Sequence, residues 1–353
     1  MEVNPSVIDE LRAEIDAHMR GGGDAVATHA LEQLGAIEGD YALLHLHAVS
    51  VKATGRLKKK AAIVLGDACR KRGLGQDGLE DAIIAGLGIG EDGAVELDLG
   101  DRKVIAGFDE LLRPFVGDEK KKISNERWKA IQAEVKFLGN ARTERLERAM
   151  CDGRFWWTSE SFDKSFKKRR LLQNIPRRLV FASGEKTFRV AEDGTFADPS
   201  DAAVTLEPGA RVVVAHPARI AKETRDQWSK VLEDYDIVQP FPQIRREAPE
   251  LDAKDLGATS TKYFEGKVAR GGRFFPLFRK GWKAGWDGLR KDMDTFGASL
   301  ALSPGIDSYG EKPGDQTLGA LTLSGGTFSD LGAILRWELL REVAQLLGPS
   351  ETP

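Results

Sequence analysis

The sequence predicts an α+β protein, with an N-terminal helical, HEAT-like block followed by a mixed β-sheet domain with packed helices. Three observations lead there. Apolar residues in the first ninety positions recur at helical spacing, and each run stops at or near a glycine. From Ala94 the period changes to alternation, first on both sides of Gly100-Asp101 and later around Asp193-Gly194. The segment "SDLGAILRWELLREVAQLLG" then returns to helical period.

In order, "PSVIDELRAEIDAHMR" places Val7, Leu11 and Ile15 four apart and ends at Gly21-Gly22-Gly23. "AVATHALEQLG", "DYALLHLHAVSVKATG", "RLKKKAAIVLGDACRKRG" and "LEDAIIAGLG" follow as further helices. Short helices with short glycine joints suggest stacked hairpins in the style of HEAT repeats, without a strict period. "AVELDLGDRKVIAGF" is a hairpin, and "LLRPFVG" adds an edge strand because Pro114 lacks a ladder donor. "NERWKAIQAEVKFLGNARTERLERAM" is one long helix with Trp128, Ile131, Val135, Leu138, Leu146 and Met150 along one side. A second helix, capped by Thr158, runs to Pro176. "RRLVFASGEKTFRVAEDGTFAD" gives short strands. "ARVVVAHP", a helix through Trp228 and "YDIVQPF" read as strand, helix, strand. "FGASLALSPGI" and "TLGALTLSGG" are strands, and the last helix is capped by Ser329. The expected regions are 1–90 (helical block), 91–175 (hairpin and long-helix connection) and 176–353 (α+β domain).

A length of 353 residues suits two or three domains, and a net charge of −3 provides no global field toward nucleic acid or acidic lipid. Two cysteines, Cys69 and Cys151, are too few for a disulfide framework or a zinc site, which fits a reducing compartment. No signal-peptide pattern and no membrane-length apolar run appear, so the expected location is the cytoplasm, with no membrane partner. Dinucleotide, Walker, nucleophile-elbow and zincin signatures are all missing. No catalytic set, metal set or cofactor is expected. His45 and His47 lie two apart on a helix and cannot face one metal together; one is expected packed and the other exposed.

Four residues are candidates for a ligand site. His216 ends a strand just before a helix, where ligands gather in open sheets and an imidazole can move protons near neutral pH. Arg189, Arg245 and Arg246 offer guanidinium groups for a carboxylate or phosphate. Pro240 and Pro242 hold "YDIVQPFPQIRREAPE" extended. Gln239 and Gln243 are placed to bond backbone groups that the prolines leave without ladder partners. A polyanion site is the second candidate. "KSFKKRRLLQNIPRR" carries Lys167, Lys168, Arg169, Arg170, Arg177 and Arg178 and no acid, and Trp282 stands in a segment mixing cations with aromatics. The same Trp282 segment also reads as core.

"RLERAMCDGRFWW", "RRLVFASGEKTFRVAEDGTFAD", "VVVAHPARI", the spaced Trp228 and "DIVQPFPQIRR" together resemble the MolR-like domain of unknown function, family 4132. The resemblance runs from about Val95 onward. It implies a bacterial protein with helical repeats, similar to components that accompany MoxR-type AAA+ ATPases and von Willebrand A proteins in stress or conflict systems. Here the chain is short and has no W-G-R tripeptide. The expected function is a non-catalytic scaffold or adaptor for a protein partner. The alternatives are a nucleic-acid or nucleotide binder using the basic stretch, and an enzyme centred on His216.

Overall fold

The first five elements along the chain are helices because their apolar residues fall on single faces. In the computed structural model, which describes residues 4–19, 24–100, 102–117, 125–166, 170–285, 287–306 and 314–348, these are α1 (Pro5–Met19), α2 (Asp24–Ala36), α3 (Asp40–Lys52), α4 (Gly55–Lys71) and α5 (Gln76–Gly86). α1 packs on α2, α2 on α4, and α3 on both α4 and α5. His45 and His47 are both half-buried, against the expected packed-and-exposed pair. His45 faces Asp9 at 3.8 Å and His47 faces Glu134 at 3.1 Å.

The alternating segment forms a three-stranded antiparallel sheet of β1 (Ala94–Asp98), β2 (Lys103–Phe108) and β3 (Pro114–Val116), with the proline strand at the edge. α6 (Glu126–Asp152) follows. Gly139 lets it approach its neighbour: a Cβ there would meet Leu112 Cδ1 at 2.9 Å. β4 (Trp157–Thr158) leads into α7 (Ser159–Phe166), and Thr158 Oγ1 accepts the Ser161 N–H at the helix start. The helix does not run on to Pro176. Residues 171–174 and 176–178 are 3₁₀ turns instead. β5 (Phe181–Ser183), β6 (Lys186–Val190), β7 (Phe196–Ala197) and β8 (Arg211–Val214) join β4 in the order β4-β8-β5-β6-β7. These strands are short, and aromatic packing holds them. Phe162 lies 4.6 Å from Phe166 and 4.7 Å from Phe181 between ring centroids.

α8 (Lys222–Asp234) buries Trp228 completely. The run after it is not a strand. Asp236 adopts φ 51°, Val238 is exposed, and the two prolines lack ladder donors, so 235–241 is irregular. The expected strand–helix–strand unit therefore loses its second strand. Every strand pairing among the described residues is antiparallel, in place of a mixed sheet.

The remaining elements are α9 (Ala253–Leu256), β9 (Ser260–Thr261), β10 (Val268–Ala269), α10 (Phe275–Arg279), β11 (Trp282–Gly285), β12 (Gly288–Met293), β13 (Phe296–Ser303), β14 (Gln316–Ser324) and α11 (Ala333–Ala344). Their sheet runs β10-β14-β13-β12-β11, with β9 also on β14. Leu300, Leu318 and Leu321 of the sheet share one core with Leu339, Leu340 and Val343 of α11. Ser329 does not cap α11: the N-cap is Gly332, and Ser329 bonds Thr327 within a turn held by Asp330.

The whole is α+β. The chain divides into two units, each assembled from separated segments. The first comprises 1–147, 156–214 and 232–241; the second comprises 148–155, 215–231 and 242–353. No described helix is long and apolar enough to cross a membrane.

Candidate functional site

One set of chemically capable side chains, Cys151, His216, Arg246 and Glu338, lies within the second unit. His216 caps the 3₁₀ turn 217–219, and its Nδ1 accepts the Ala218 N–H at 3.1 Å. That bond fixes the tautomer of the neutral ring, with the proton on Nε2. Nε2 faces Glu338 Oε1 at 3.2 Å. Arg246 grips the same carboxylate as a fork, Nε to Oε1 and Nη2 to Oε2, each at 2.6 Å. Its Nη2 also donates to Cys151 Sγ at 3.4 Å, and its Nη1 to Pro242 O at 3.2 Å. Trp337 Nε1 donates to Arg246 O at 2.8 Å, and Gln243 Nε2 to Ala215 O at 2.8 Å. His216, Arg246 and Glu338 are all buried.

The electrostatics follow from this geometry. Burial opposes ionisation of Glu338. Hydrogen bonds from Arg246 and His216, with the guanidinium charge, outweigh burial and hold the carboxyl far below its ordinary range. Burial holds the His216 imidazole below its ordinary value, against the pull of Glu338.

By donor type, Cys151, His216 and Glu338 fit a zinc ion, and their ligand atoms lie within 4.8 Å of one another. The bonding works against one. Arg246 takes both carboxylate oxygens, and the ring's lone pair is given to Ala218. A metal, or a substrate proton moving to His216, would have to displace these bonds. What the cluster does as it stands is fasten the end of α6, the turn after β8, the arginine strip and α11 together.

The four ligand candidates do not converge as a set. His216 and Arg246 meet on Glu338, while Arg245 is exposed. Arg189 belongs to the first unit. There it pairs with Glu192 at 3.0 Å and Asp201 at 3.7 Å and lies over the Tyr235 ring at 4.7 Å. Gln239 and Gln243 both bond backbone carbonyls.

Of the polyanion candidates, Lys167, Lys168 and Arg169 lie outside the described residues. Arg170 pairs with Asp81 at 3.3 Å, and Arg177 Nη1 reaches Glu192 O at 3.4 Å. Arg178 donates to Asn174 O at 2.9 Å and Val238 O at 3.0 Å. Trp282 is not a stacking surface. Its ring is 2% exposed, and its Nε1 donates to Glu342 Oε2 at 2.8 Å. Trp286 lies outside the described residues.

Two groups of polar residues escaped the sequence reading. Glu338 and Glu342 follow Ile334 at four-residue steps, on the buried stripe of α11. An acid on such a stripe requires a cation, which is a readable signal. Cys151 left none. In the first unit, buried Arg142 bonds buried Glu80 (Nε to Oε2, 2.6 Å), and Arg145 bonds both Glu80 and Asp77. Burial would raise Glu80, but the two arginines outweigh it and lower its pKa; for Asp81 burial wins and its pKa is raised.

Residues 113–282 match a family model described as a domain of unknown function (DUF4132). That span contains Cys151, His216 and Arg246 and stops short of Glu338. The chain is similar to the uncharacterized protein YehI of Escherichia coli (strain K12), with 28% identity over 332 residues. The alignment covers 86% of this chain and 27% of the relative, so the chain spans about a quarter of that protein's length. No solved structure matches.

Proposed function

For a chain whose residues 113–282 match the model of a domain of unknown function (DUF4132), we propose a non-catalytic scaffold or adaptor that binds a protein partner through its helical block. One observation carries this reading. The side chains best suited to chemistry, His216, Glu338 and Arg246, are bonded to one another and to backbone, leaving the imidazole no lone pair for a substrate. The helical block, by contrast, keeps apolar side chains such as Ile63 and Val51 exposed. Its HEAT-like helices would form the docking face, in the cytoplasm of a bacterium. The partner class favoured by the family resemblance is a MoxR-type AAA+ ATPase or a von Willebrand A protein.

Affinity purification of the tagged full chain from its native host tests the reading. A specific stoichiometric partner is expected, and recovery of none defeats the proposal. Filter binding of duplex DNA at low and moderate salt gives the contrasting result. Affinity with a steep salt slope would support nucleic-acid binding in its place.

A further inference from the structure

α4 buries Leu57, Ala61, Leu65 and Ala68, and this fixes its outward line as Arg56, Lys59, Ile63, Gly66 and Arg70. That line has three unusual properties. From Lys52 to Arg72 the chain has eight lysines and arginines and one acid, Asp67, although the whole chain carries −3. Lys60, Arg70 and Arg72 are paired, with Glu32, Asp67 and Asp40. Lys52, Arg56, Lys58, Lys59 and Lys71 make no ion pair among the described residues. Next, the cations gather at the two ends of the helix, and the middle of the line is apolar, with Ile63 60% exposed. Lys59 and Arg70 are eleven residues apart, roughly 16 Å along the axis. Finally, Gly66 sits inside the helix with ordinary φ, and a Cβ built there meets nothing within 4 Å. A glycine in a helix interior lowers helix stability, and here no packing among the described residues requires it. It leaves a notch beside the Ile63 knob.

Resting on the adaptor reading, we propose that the outward face of α4 docks an acidic amphipathic helix of the protein partner, with carboxylates at its two ends and one apolar side chain seated between Ile63 and Gly66. Charge excludes a second copy of α4 from this face, since two such surfaces repel. The uncharged window and Asp67 suit a protein better than a phosphate backbone, which presents continuous negative charge.

The test uses the full-length protein and a labelled synthetic helical peptide, glutamate-rich at both ends with a central leucine. The peptide has about sixteen residues, enough to span both cationic ends. Anisotropy titration should show binding that weakens with salt. A serine in place of the leucine, Ile63→Ser or Gly66→Leu should each weaken it about tenfold, as expected for loss of one buried apolar contact. Ile63 is exposed and Gly66 half-buried on the outward line of α4, and a circular dichroism melt confirms that each protein variant is folded. The proposal is overturned if the peptide does not bind, if leucine and serine peptides bind equally, if Ile63→Ser and Gly66→Leu leave affinity unchanged, or if a DNA duplex binds more tightly. A native partner that co-purifies equally with wild type and Lys59→Glu overturns the α4 assignment and leaves the adaptor reading intact. Peptide binding with no co-purifying partner sustains the surface and overturns the adaptor reading.

Discussion

Glu338 matters most at the level of single residues, because its carboxylate contacts both Arg246 and His216. Glu338→Gln leaves a buried guanidinium without its counter-charge and should cost about 3–5 kcal/mol, measured by urea denaturation. His216 sets an acid limb. Its folded-state pKa lies below the unfolded value of about 6.5, so below that pH the unfolded chain takes up a proton that the native state refuses. Stability from this residue is complete above about pH 6.5 and is lost as pH falls toward the folded value. Glu338, also depressed, contributes above its unfolded value of about 4.3 and loses that contribution at still lower pH. Melting temperature measured from pH 7.5 down to 5 should therefore fall for wild type and fall less steeply for His216→Gln. A residual slope remains in the variant, since burial depresses His45 as well. Treatment with a strong chelator should leave melting unchanged, because the bonds of the cluster are already made by Arg246 and Ala218.

Elements were legible wherever a single period persisted. The five N-terminal helices, the β1–β2 hairpin and the long β13–β14 pair all follow from spacing. The stripe of α6 was also visible, as Trp128, Ile131, Val135, Leu138, Leu146 and Met150. Its missing step is Arg142, four residues from both Leu138 and Leu146 and 1% exposed. The apolar pattern thus marked where a buried charge had to sit, but its partner Glu80 is 62 residues away and no local rule could supply it. Arg142→Met should cost about 3–5 kcal/mol, and adding Glu80→Leu should recover part of that, because removing both charges also removes their desolvation cost. The strand expected over 235–241 failed for the opposite reason. An apolar run implied burial, yet Tyr235 and Val238 face solvent and two prolines remove ladder donors. Gly288 is a sharper case. Its φ is 149°, and a Cβ there would lie 2.0 Å from Leu300 O. Gly288→Ala should lose at least about 1–3 kcal/mol for the backbone conformation alone, read as a lower melting temperature.

For the whole molecule, the notable property is that neither unit is a continuous piece of chain. The second unit needs 148–155 and 215–231 as well as 242–353, and Trp228 and His216 come from the middle segment. A fragment of residues 242–353 expressed alone should lack native near-ultraviolet dichroism and exchange its β13–β14 amides rapidly. A sharp native-like spectrum would show that the two inserted segments are dispensable. Such interleaving is invisible to local spacing, which is why the boundaries at 90 and 175 were drawn from changes of period alone.

The order of the partners along the chain has a further consequence. Arg246 precedes Glu338 by 92 residues, and Lys291 precedes Glu342 by 51. On the ribosome, both cations emerge long before the acids that neutralise them. Neither cation can make these bonds until α11 has left the exit tunnel, and any helper that guards nascent chains has that interval in which to act.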